Sequence, residues 1–401
     1  MNGRERRIYL DHNASAPLLP EARDAAVAAL ALANPSSTHR EGRDARGALE
    51  EARRSVARLV GGTDEKVPAE AVVFTSGATE AAAQLLSPRW LIDGEATRLA
   101  GLAVIETDHP ATREGGSFEP GRVTRLPVDR EGLVRLDALA EWAAKLDDAG
   151  PALLAFSRAN SETGVIQPLA AIREAIAGRP IRLVLDAAQV AGRLPIDLDA
   201  TGADAVILSG HKIGAMKGVG AFALKSLATR PYALLRGGGQ ERGMRPGTEA
   251  LPAIASFGAA AEVVLARLGG AVSQLQDRRD FLEGQIAARL PEAVVLGKGA
   301  ERLPNTLAVA HPAVRAETAQ IALDLEGLAV SAGSACSSGK VGQSHVAAAM
   351  AAAGLAIDPA LGAIRVSFGS ETDEAALERF AAAYERLARR ATARAGSAKA
   401  A

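Results

Sequence analysis

Cysteine is almost absent from this sequence. Cys336 is the only one among 401 residues, so the chain alone forms neither an intrachain disulfide nor a metal site of several thiolates. If this residue has a role, it acts as a thiol. Long apolar runs are missing too: Ile8, Tyr9 and Leu10 are too few for a signal sequence, and no later run reaches membrane-spanning length. We therefore expect a cytoplasmic protein with no membrane partner.

An excess of charge of one sign is also lacking. The chain has 46 Lys and Arg against 47 Asp and Glu, a net charge of -1, so no global field draws it to nucleic acid, although a local patch stays open. We expect no nucleic-acid partner. With 48% hydrophobic residues, the chain is long enough for about two or three domain-sized cores.

The stretch 205–217 is the most informative part of the sequence. A short apolar run predicts a buried strand, which stops at Ser209, Gly210, His211 and Lys212. A lysine at a strand exit, beside a hydroxyl, a histidine and glycines, has the surroundings that an amine needs to hold an aldehyde cofactor as a Schiff base. A surface lysine in a Gly-rich turn is the alternative.

Four earlier apolar runs also end in polar residues, and helical stretches separate several of them. These runs are 71–74, 102–105, 152–156 and 181–185. This rhythm predicts an α/β fold with a mostly parallel, helix-covered sheet, whose ligands lie beyond the carboxyl ends of the strands. Lys212 falls where such a sheet places a site.

The polar residues at these strand exits match the needs of a pyridine cofactor. His109 offers a face for the ring, Asp186 a carboxylate for the ring nitrogen, and Gln189 a donor for the phenolic oxygen. The junction 77–79, with Ser209 and His211, offers donors for a phosphate. Each residue also has an ordinary interpretation as a loop histidine, a cap, an exposed glutamine or a helix N-cap.

The C-terminal part predicts a second, smaller α+β region. Strands are expected near 294–296, 306–310, 328–331 and 363–368, with helices at about 316–325, 344–353 and 373–392. We place a large α/β domain at 14–255 and a small α+β domain at 1–13 and 256–390. Residues 391–401 are expected to fray.

Two loops rich in small residues remain. Residues 236–248 combine Gly and Arg, which indicates a backbone that approaches an anion or a neighbouring subunit, or else a solvated linker. Residues 331–340 surround Cys336 with Ser, Gly and Ala, which offer little to pack against. We therefore expect an exposed, mobile thiol.

Several segments together carry a family resemblance. They are 9–11 (Tyr-Leu-Asp), 34–39 (Asn-Pro-Ser-Ser-Thr-His), 74–80 (Phe-Thr-Ser-Gly-Ala-Thr-Glu), 162–164 (Glu-Thr-Gly), 186–189 (Asp-Ala-Ala-Gln), 209–212 (Ser-Gly-His-Lys), 241–245 (Glu-Arg-Gly-Met-Arg), 303–305 (Leu-Pro-Asn), 333–336 (Gly-Ser-Ala-Cys) and 364–367 (Ile-Arg-Val-Ser). In these segments the chain resembles the NifS/IscS-like cysteine desulfurases, class V aminotransferase-like enzymes of the PLP-dependent transferase fold type I. The resemblance runs from Tyr9 to about Glu374.

The resemblance implies a PLP enzyme with a large domain built on a seven-stranded-type sheet. Lys212 would carry pyridoxal 5'-phosphate (PLP), with Asp186 on the pyridine nitrogen, Gln189 on the phenolic oxygen and His109 on the ring. The remaining cofactor contacts that it implies are Ala78, Thr79, Ser209, Gly210, His211, Asn160, Ser161 and, from the other protomer of a homodimer, Thr248.

It also implies the substrate and the fate of its sulfur. Arg365 and Asn13 would bind L-cysteine, and the planar guanidinium suits the substrate carboxylate. Cys336 would attack the substrate sulfur and keep it as a persulfide, with Lys212 and His109 as the other catalytic residues. The partner would be a sulfur acceptor or iron–sulfur scaffold protein. No resident metal is implied; a transient iron–sulfur contact of Cys336 stays open.

Three positions depart from the family pattern: Ser161 replaces an asparagine, Ala16 a threonine and Gln240 a histidine. They bear on catalytic rate more than on reaction class. Two alternatives stay open, a selenocysteine lyase or cysteine sulfinate desulfinase, which would not need Cys336, and a weakly active sulfur-assembly scaffold.

Overall fold

The structure is a computed structural model that describes residues 7–62, 67–146, 150–333 and 343–400, without the side chains of 271 and 395–400. Cys336, the predicted sulfur acceptor, lies outside these residues. The strands are β1 Ile8–Tyr9, β2 Val72–Thr75, β3 Arg89–Ile92, β4 Glu95–Arg98, β5 Leu102–Ile105, β6 Val123–Leu126, β7 Ala152–Ser157, β8 Ile181–Asp186, β9 Ala205–Ser209, β10 Gly220–Leu224, β11 Arg230–Pro231, β12 Val294–Val295, β13 Thr306–Ala310, β14 Leu328–Ala329, β15 Ser331–Ala332 and β16 Ile364–Ser367.

Helices cover the sheets and join many of the strands. They are α1 Pro20–Ala29, α2 Arg40–Val60, α3 Ala78–Leu85, α4 Pro110–Arg113, α5 Leu136–Ala144, α6 Leu169–Ala175, α7 Leu198–Thr201, α8 Leu251–Arg289, α9 Ala316–Leu325, α10 His345–Ala352 and α11 Glu374–Ala400. The helix α11 continues to Ala400. The prediction that 391–401 is frayed is therefore wrong for 391–400.

The central sheet has seven strands in the order β2-β10-β9-β8-β7-β5-β6. β10 runs antiparallel to both of its neighbours, and the pairs from β9 to β6 are parallel. The predicted mostly parallel α/β sheet is therefore confirmed. Its inner strands are buried on both faces, which explains their continuous apolar sequences.

One strand of this sheet escaped prediction. β6 reads Val-Thr-Arg-Leu, and only Leu126 is fully buried. It lies at the sheet edge, paired only with β5. An edge strand tolerates polar residues because one side faces solvent, so its sequence lacks the apolar run that marks the inner strands.

A second sheet, in the order β12-β13-β16-β15, has its own hydrophobic core. β1 pairs with β14 in a separate two-stranded sheet, and Leu10, which follows β1, is buried in the core of the second sheet. The long helix α8 connects both cores: Phe257 belongs to the first and Leu282 to the second. These contacts agree with an α+β second region, while the domain limits given above stay a prediction.

The first half of α8 has the length and composition of a membrane-spanning helix. Residues Leu251–Gly270 are long and apolar enough to cross a membrane by length and composition, which differs from the expectation that no such run exists. Phe257, Ala260 and Ala261 of this stretch are fully buried in the first core, and α1 and α2 pack against the helix. This arrangement is typical of a core helix.

Candidate active site

Residues that follow five strands of the central sheet line one pocket of about 460 Å³. They come from the ends of β2, β5, β7, β8 and β9, because the carboxyl ends of parallel strands meet at one sheet edge. Nine of the predicted site residues line this pocket: Ala78, Thr79, His109, Ser161, Asp186, Gln189, Ser209, His211 and Lys212. The structure thus brings together residues spread over more than a hundred positions.

Lys212 follows β9 in a single helical turn, Gly210–Lys212. Its ammonium group donates hydrogen bonds to the backbone oxygens of Asn13 and Ala14, the latter at 3.1 Å. Gly210 itself does not line the pocket; a Cβ there would lie 2.8 Å from the Val219 side chain. The glycine therefore permits the tight turn that places the lysine.

Two neighbouring residues hold fixed orientations beside the lysine. Asp186 is the last residue of β8, and its Oδ1 accepts the N–H of Ala188 at 2.9 Å. Gln189 donates through Nε2 to the oxygen of Asn13 at 3.1 Å and accepts from Arg193 at 2.8 Å. The pocket therefore contains a carboxylate and an amide that are positioned by the fold before any ligand binds.

Both pocket histidines favour the neutral form. Burial is the main cause that lowers the pKa of His109, and the charge of Lys212 adds to it, whereas Asp186 opposes it. Burial and the charges of Lys212 and Lys217 lower the pKa of His211 to about 4. His109 Nδ1 accepts the N–H of Ala111 at 3.1 Å, so the proton of its neutral ring sits on Nε2.

The sheet order separates the polar groups of the pocket by type. Ser76, Gly77 and Thr79 follow β2 at the start of α3, on the side of the sheet near β10 and β9. Gly77 packs so closely on β10 that a Cβ at Gly220 would lie 2.6 Å from its backbone. Asp186 and His109 come from β8 and β5, towards the other side. Hydroxyls and helix N–H groups thus lie towards one side of the pocket, the carboxylate and imidazole towards the other.

Besides Gly210, two of the predicted cofactor residues, Asn160 and Thr248, do not line the pocket. The Asn160 side chain donates to Thr107 at 2.8 Å and accepts the N–H groups of Glu162 and Thr163, so it is committed to the turn. Thr248 is exposed. Their contacts with a cofactor stay predictions.

The two predicted substrate residues form a layer behind the pocket. Asn13 lies beneath Lys212 and donates to the Ser161 oxygen at 3.3 Å. Arg365 is only 2% exposed, donates to the same oxygen at 3.0 Å and pairs with Asp11 at 2.6 Å. Its Nε is buried and has no hydrogen-bond partner within the described ranges. The Nε–H group of Arg365 can therefore donate a hydrogen bond to an acidic ligand.

Sequence reasoning missed several groups around the pocket. Ser157 and Lys217 line it. Both had a signal in the sequence, because Ser157 ends the apolar strand β7 and Lys217 is in the same Gly-rich stretch as Lys212. Glu162 was noted only as part of a motif. It is buried and accepts a hydrogen bond from Ser344 at 2.6 Å, and burial raises its pKa to about 7.

Comparison with known proteins agrees with this geometry. The family described as Aminotransferase class-V matches residues 8–380. A cysteine desulfurase of Cereibacter sphaeroides is 40% identical over 384 residues, 93% of each chain, and the cysteine desulfurase IscS of Dictyoglomus turgidum is 34% identical over 377 residues, 92% of this chain and 91% of the relative.

A solved NifS-like protein of Rickettsia africae superposes with a TM-score of 0.82 at 27% identity, over 95% of this chain and 99% of that chain. The resemblance to cysteine desulfurases and to their fold, predicted from the sequence, is confirmed by these relatives.

Proposed function

The chain belongs to the class-V aminotransferase family, and we infer from this membership and from its pocket that it is a PLP-dependent L-cysteine desulfurase. It removes the sulfur of L-cysteine, releases alanine and keeps the sulfur on Cys336 for transfer. One observation carries the proposal: Lys212 reaches a pocket that also holds Asp186, His109 and the start of α3. The groups that a PLP enzyme needs are thus assembled in one place.

The residues of the pocket fit PLP in size and in chemistry. A volume of about 460 Å³ lies in the usual range for a cofactor site, roughly 300–1,000 Å³. Thr79, Ser209 and the first N–H groups of α3 suit the phosphate, and Asp186 suits a protonated ring nitrogen. When bound, PLP withdraws electrons from the substrate and activates its Cα for deprotonation.

The chain supplies the proton movements and the substrate contacts. The Lys212 amine would hold the cofactor and would move the proton at the substrate Cα. Arg365, whose Nε has no partner among the described residues, binds the substrate carboxylate, because a planar guanidinium matches a carboxylate in shape and charge. Neutral His109, which lines the pocket, would hold the pyridine ring of the cofactor.

Cys336 accepts the sulfur. Its thiolate attacks the sulfur of the substrate, an S–S bond forms as the C–S bond breaks, and the electron pair of that bond stays with the carbon, which takes up a proton. Cysteine and the enzyme thiol thereby become alanine and an enzyme persulfide, and no external oxidant is needed. A sulfur acceptor or iron–sulfur scaffold protein in the cytoplasm then takes the sulfur.

Assembly as a homodimer completes the proposal. Thr248 is exposed and lies outside the pocket lining, as expected for a residue that reaches a neighbour's phosphate site. Shortly before it, Tyr232, Leu234 and Leu235 expose 39%, 49% and 48% of their surface. A cluster of exposed apolar side chains is typical of a subunit interface.

The test is cysteine turnover by Cys336→Ser with the products followed separately. We expect this variant to keep the PLP absorbance and to bind cysteine, but to lose both sulfide and alanine production. Mass spectrometry of the wild-type protein after cysteine should find one added sulfur atom on the Cys336 peptide.

Undiminished turnover of cysteine by Cys336→Ser would contradict the proposal. If the same variant releases alanine from cysteine sulfinate or selenocysteine, this would instead favour a lyase that needs no thiol. A wild-type chain that binds no PLP would favour the scaffold alternative.

A further inference from the structure

A second cavity, larger than the active pocket, lies on the other side of the chain segment 12–16. Its volume is about 820 Å³. His12 and Ala16 line this second cavity, whereas Ala14 and Ser15 line the active pocket, and Lys212 lines both. A single layer of chain therefore separates the two spaces. The proposed reaction makes no use of the second cavity.

The second cavity contains a buried cation. Arg193 is 7% exposed, and its guanidinium donates to the backbone oxygen of Gln189 at 2.7 Å, to the Gln189 side chain at 2.8 Å and to the His12 oxygen at 3.4 Å. All of these acceptors are neutral, and no acidic side chain in the described ranges pairs with Arg193. Burial, together with the nearby charge of Arg365, lowers its pKa to about 10. A buried charge with neutral partners is best compensated by an anion.

The acidic groups of the second cavity are already engaged. Glu371 pairs with His12 at 2.7 Å, and Asp373 caps α11 by accepting the N–H of Ala376 at 2.8 Å. Among the described residues of the lining, these two are the acidic side chains, and the basic ones are Arg7, Arg193, Lys212, Arg267 and Arg379. Arg7 pairs with Asp324 outside the lining, and Lys212 carries the cofactor in the proposed enzyme. Within the part of the chain that the structure describes, no carboxylate of the lining pairs with Arg193.

Apolar side chains form the rest of the wall. Leu18 and Leu19 come from the segment before α1, Val264 and Leu275 come from α8, and Phe368 directly follows β16. A ligand that fills this space thus needs an apolar body as well as a negative charge. We propose that the second cavity is a binding site for a small organic anion, a carboxylate or phosphate ester with an apolar body, whose charge pairs with Arg193.

Calorimetry with octanoate on the PLP-loaded protein tests this proposal. We expect saturable binding of one octanoate per chain, with octylamine and inorganic phosphate at least about tenfold weaker. Ala376→Trp places an indole in the cavity from α11 and should abolish the binding. Arg193→Met should weaken it by about tenfold or more, because a charge-assisted pair is lost. Ala352→Trp, on the exposed face of α10, is the matched control and should bind octanoate as the wild type does.

The PLP absorbance and circular dichroism accompany each titration. An unchanged PLP spectrum during octanoate binding places the ligand outside the active pocket. Absence of saturable binding to the wild type, or equal binding to Ala376→Trp, overturns the proposal; so does tight binding of inorganic phosphate without octanoate. Because Arg193 also orients Gln189, Ala376→Trp decides the outcome if Arg193→Met does not fold.

Discussion

The carboxyl group of Glu162 accepts a hydrogen bond of 2.6 Å from the hydroxyl of Ser344. Ser344 is the N-cap of α10, so its oxygen also accepts the N–H of Ala347 at 3.1 Å. On the other side, Glu162 lies against Gly333, where an added Cβ would be 2.5 Å from Oε2. One buried acid thus lies against Gly333 and Ser344, which stand on either side of 334–342, the segment that carries Cys336 in the sequence.

Glu162 should make stability depend on pH. Burial raises its pKa from the usual 4.5 to about 7, so between these values the folded chain holds a proton that the unfolded chain has lost. This contribution is complete below about pH 4.5 and disappears as the pH rises through about 7. In the wild type, ionisation of Glu162 should lower the unfolding free energy by up to about 3 kcal/mol as the pH rises from 5 to 8. Glu162→Gln cannot ionise and should not show this loss.

Urea denaturation at the two pH values measures this difference. Glu95→Gln, an exposed change in β4, is the matched control and should leave the pH dependence as in the wild type. The same loss of stability in Glu162→Gln and in the wild type would show that Glu162 is ionised throughout. Asp108, whose pKa burial raises to about 8, adds a pH dependence of the same sign in both proteins.

Lys212→Ala should reduce sulfide release from cysteine by at least about a thousandfold, since both the cofactor link and the proton transfer at Cα are lost. PLP should still bind to this variant through the other pocket residues. Lys225→Ala, which removes an exposed ion pair with Asp199, is the control and should keep full activity. Near-normal sulfide release by Lys212→Ala would remove the lysine from its proposed role.

The pair Arg53–Glu241 should contribute strongly to stability. Both side chains are buried, joined by two hydrogen bonds of 2.6 and 2.7 Å, and Glu241 also accepts the N–H of Phe74. Arg53→Met leaves this carboxylate buried and unpaired, so the unfolding free energy should fall by about 3–5 kcal/mol. Arg389→Met breaks a more exposed pair with Glu385 and should cost about 1 kcal/mol or less. Equal losses in urea denaturation would contradict this ranking.

Leu235→Asp should dissociate the proposed homodimer, because it places a charge in the exposed apolar cluster before Thr248. Sedimentation should then show a monomer, and cysteine turnover should fall with it. Leu325→Asp is the matched control: Leu325 is 83% exposed at the end of α9, remote from the cluster in sequence, and its change should leave the dimer intact. A fully active monomer of the wild type would contradict shared active sites.

The pocket residues could be predicted from the sequence because each follows an apolar run. Strand and helix periodicity are local properties, and a parallel sheet brings its strand ends to one edge, so the sequence predicts that His109, Asp186 and Lys212 lie together, as they do in the pocket. The resemblance then gave the reaction, which similarity to known desulfurases supports. The edge strand β6 was missed because it lacks the apolar run.

Contacts between distant parts of the chain were decided only by the tertiary structure. The Asn13 oxygen lies under Lys212 although 199 positions separate them, and Glu162 meets Ser344 across 182 positions. Packing of the two cores against the segment 12–16 also creates the second cavity around Arg193. None of these has a local sequence signal, because each depends on which surfaces are buried against each other. The sequence thus determined which groups stand at the strand ends, and the packing decided what holds them there and which charges it buries.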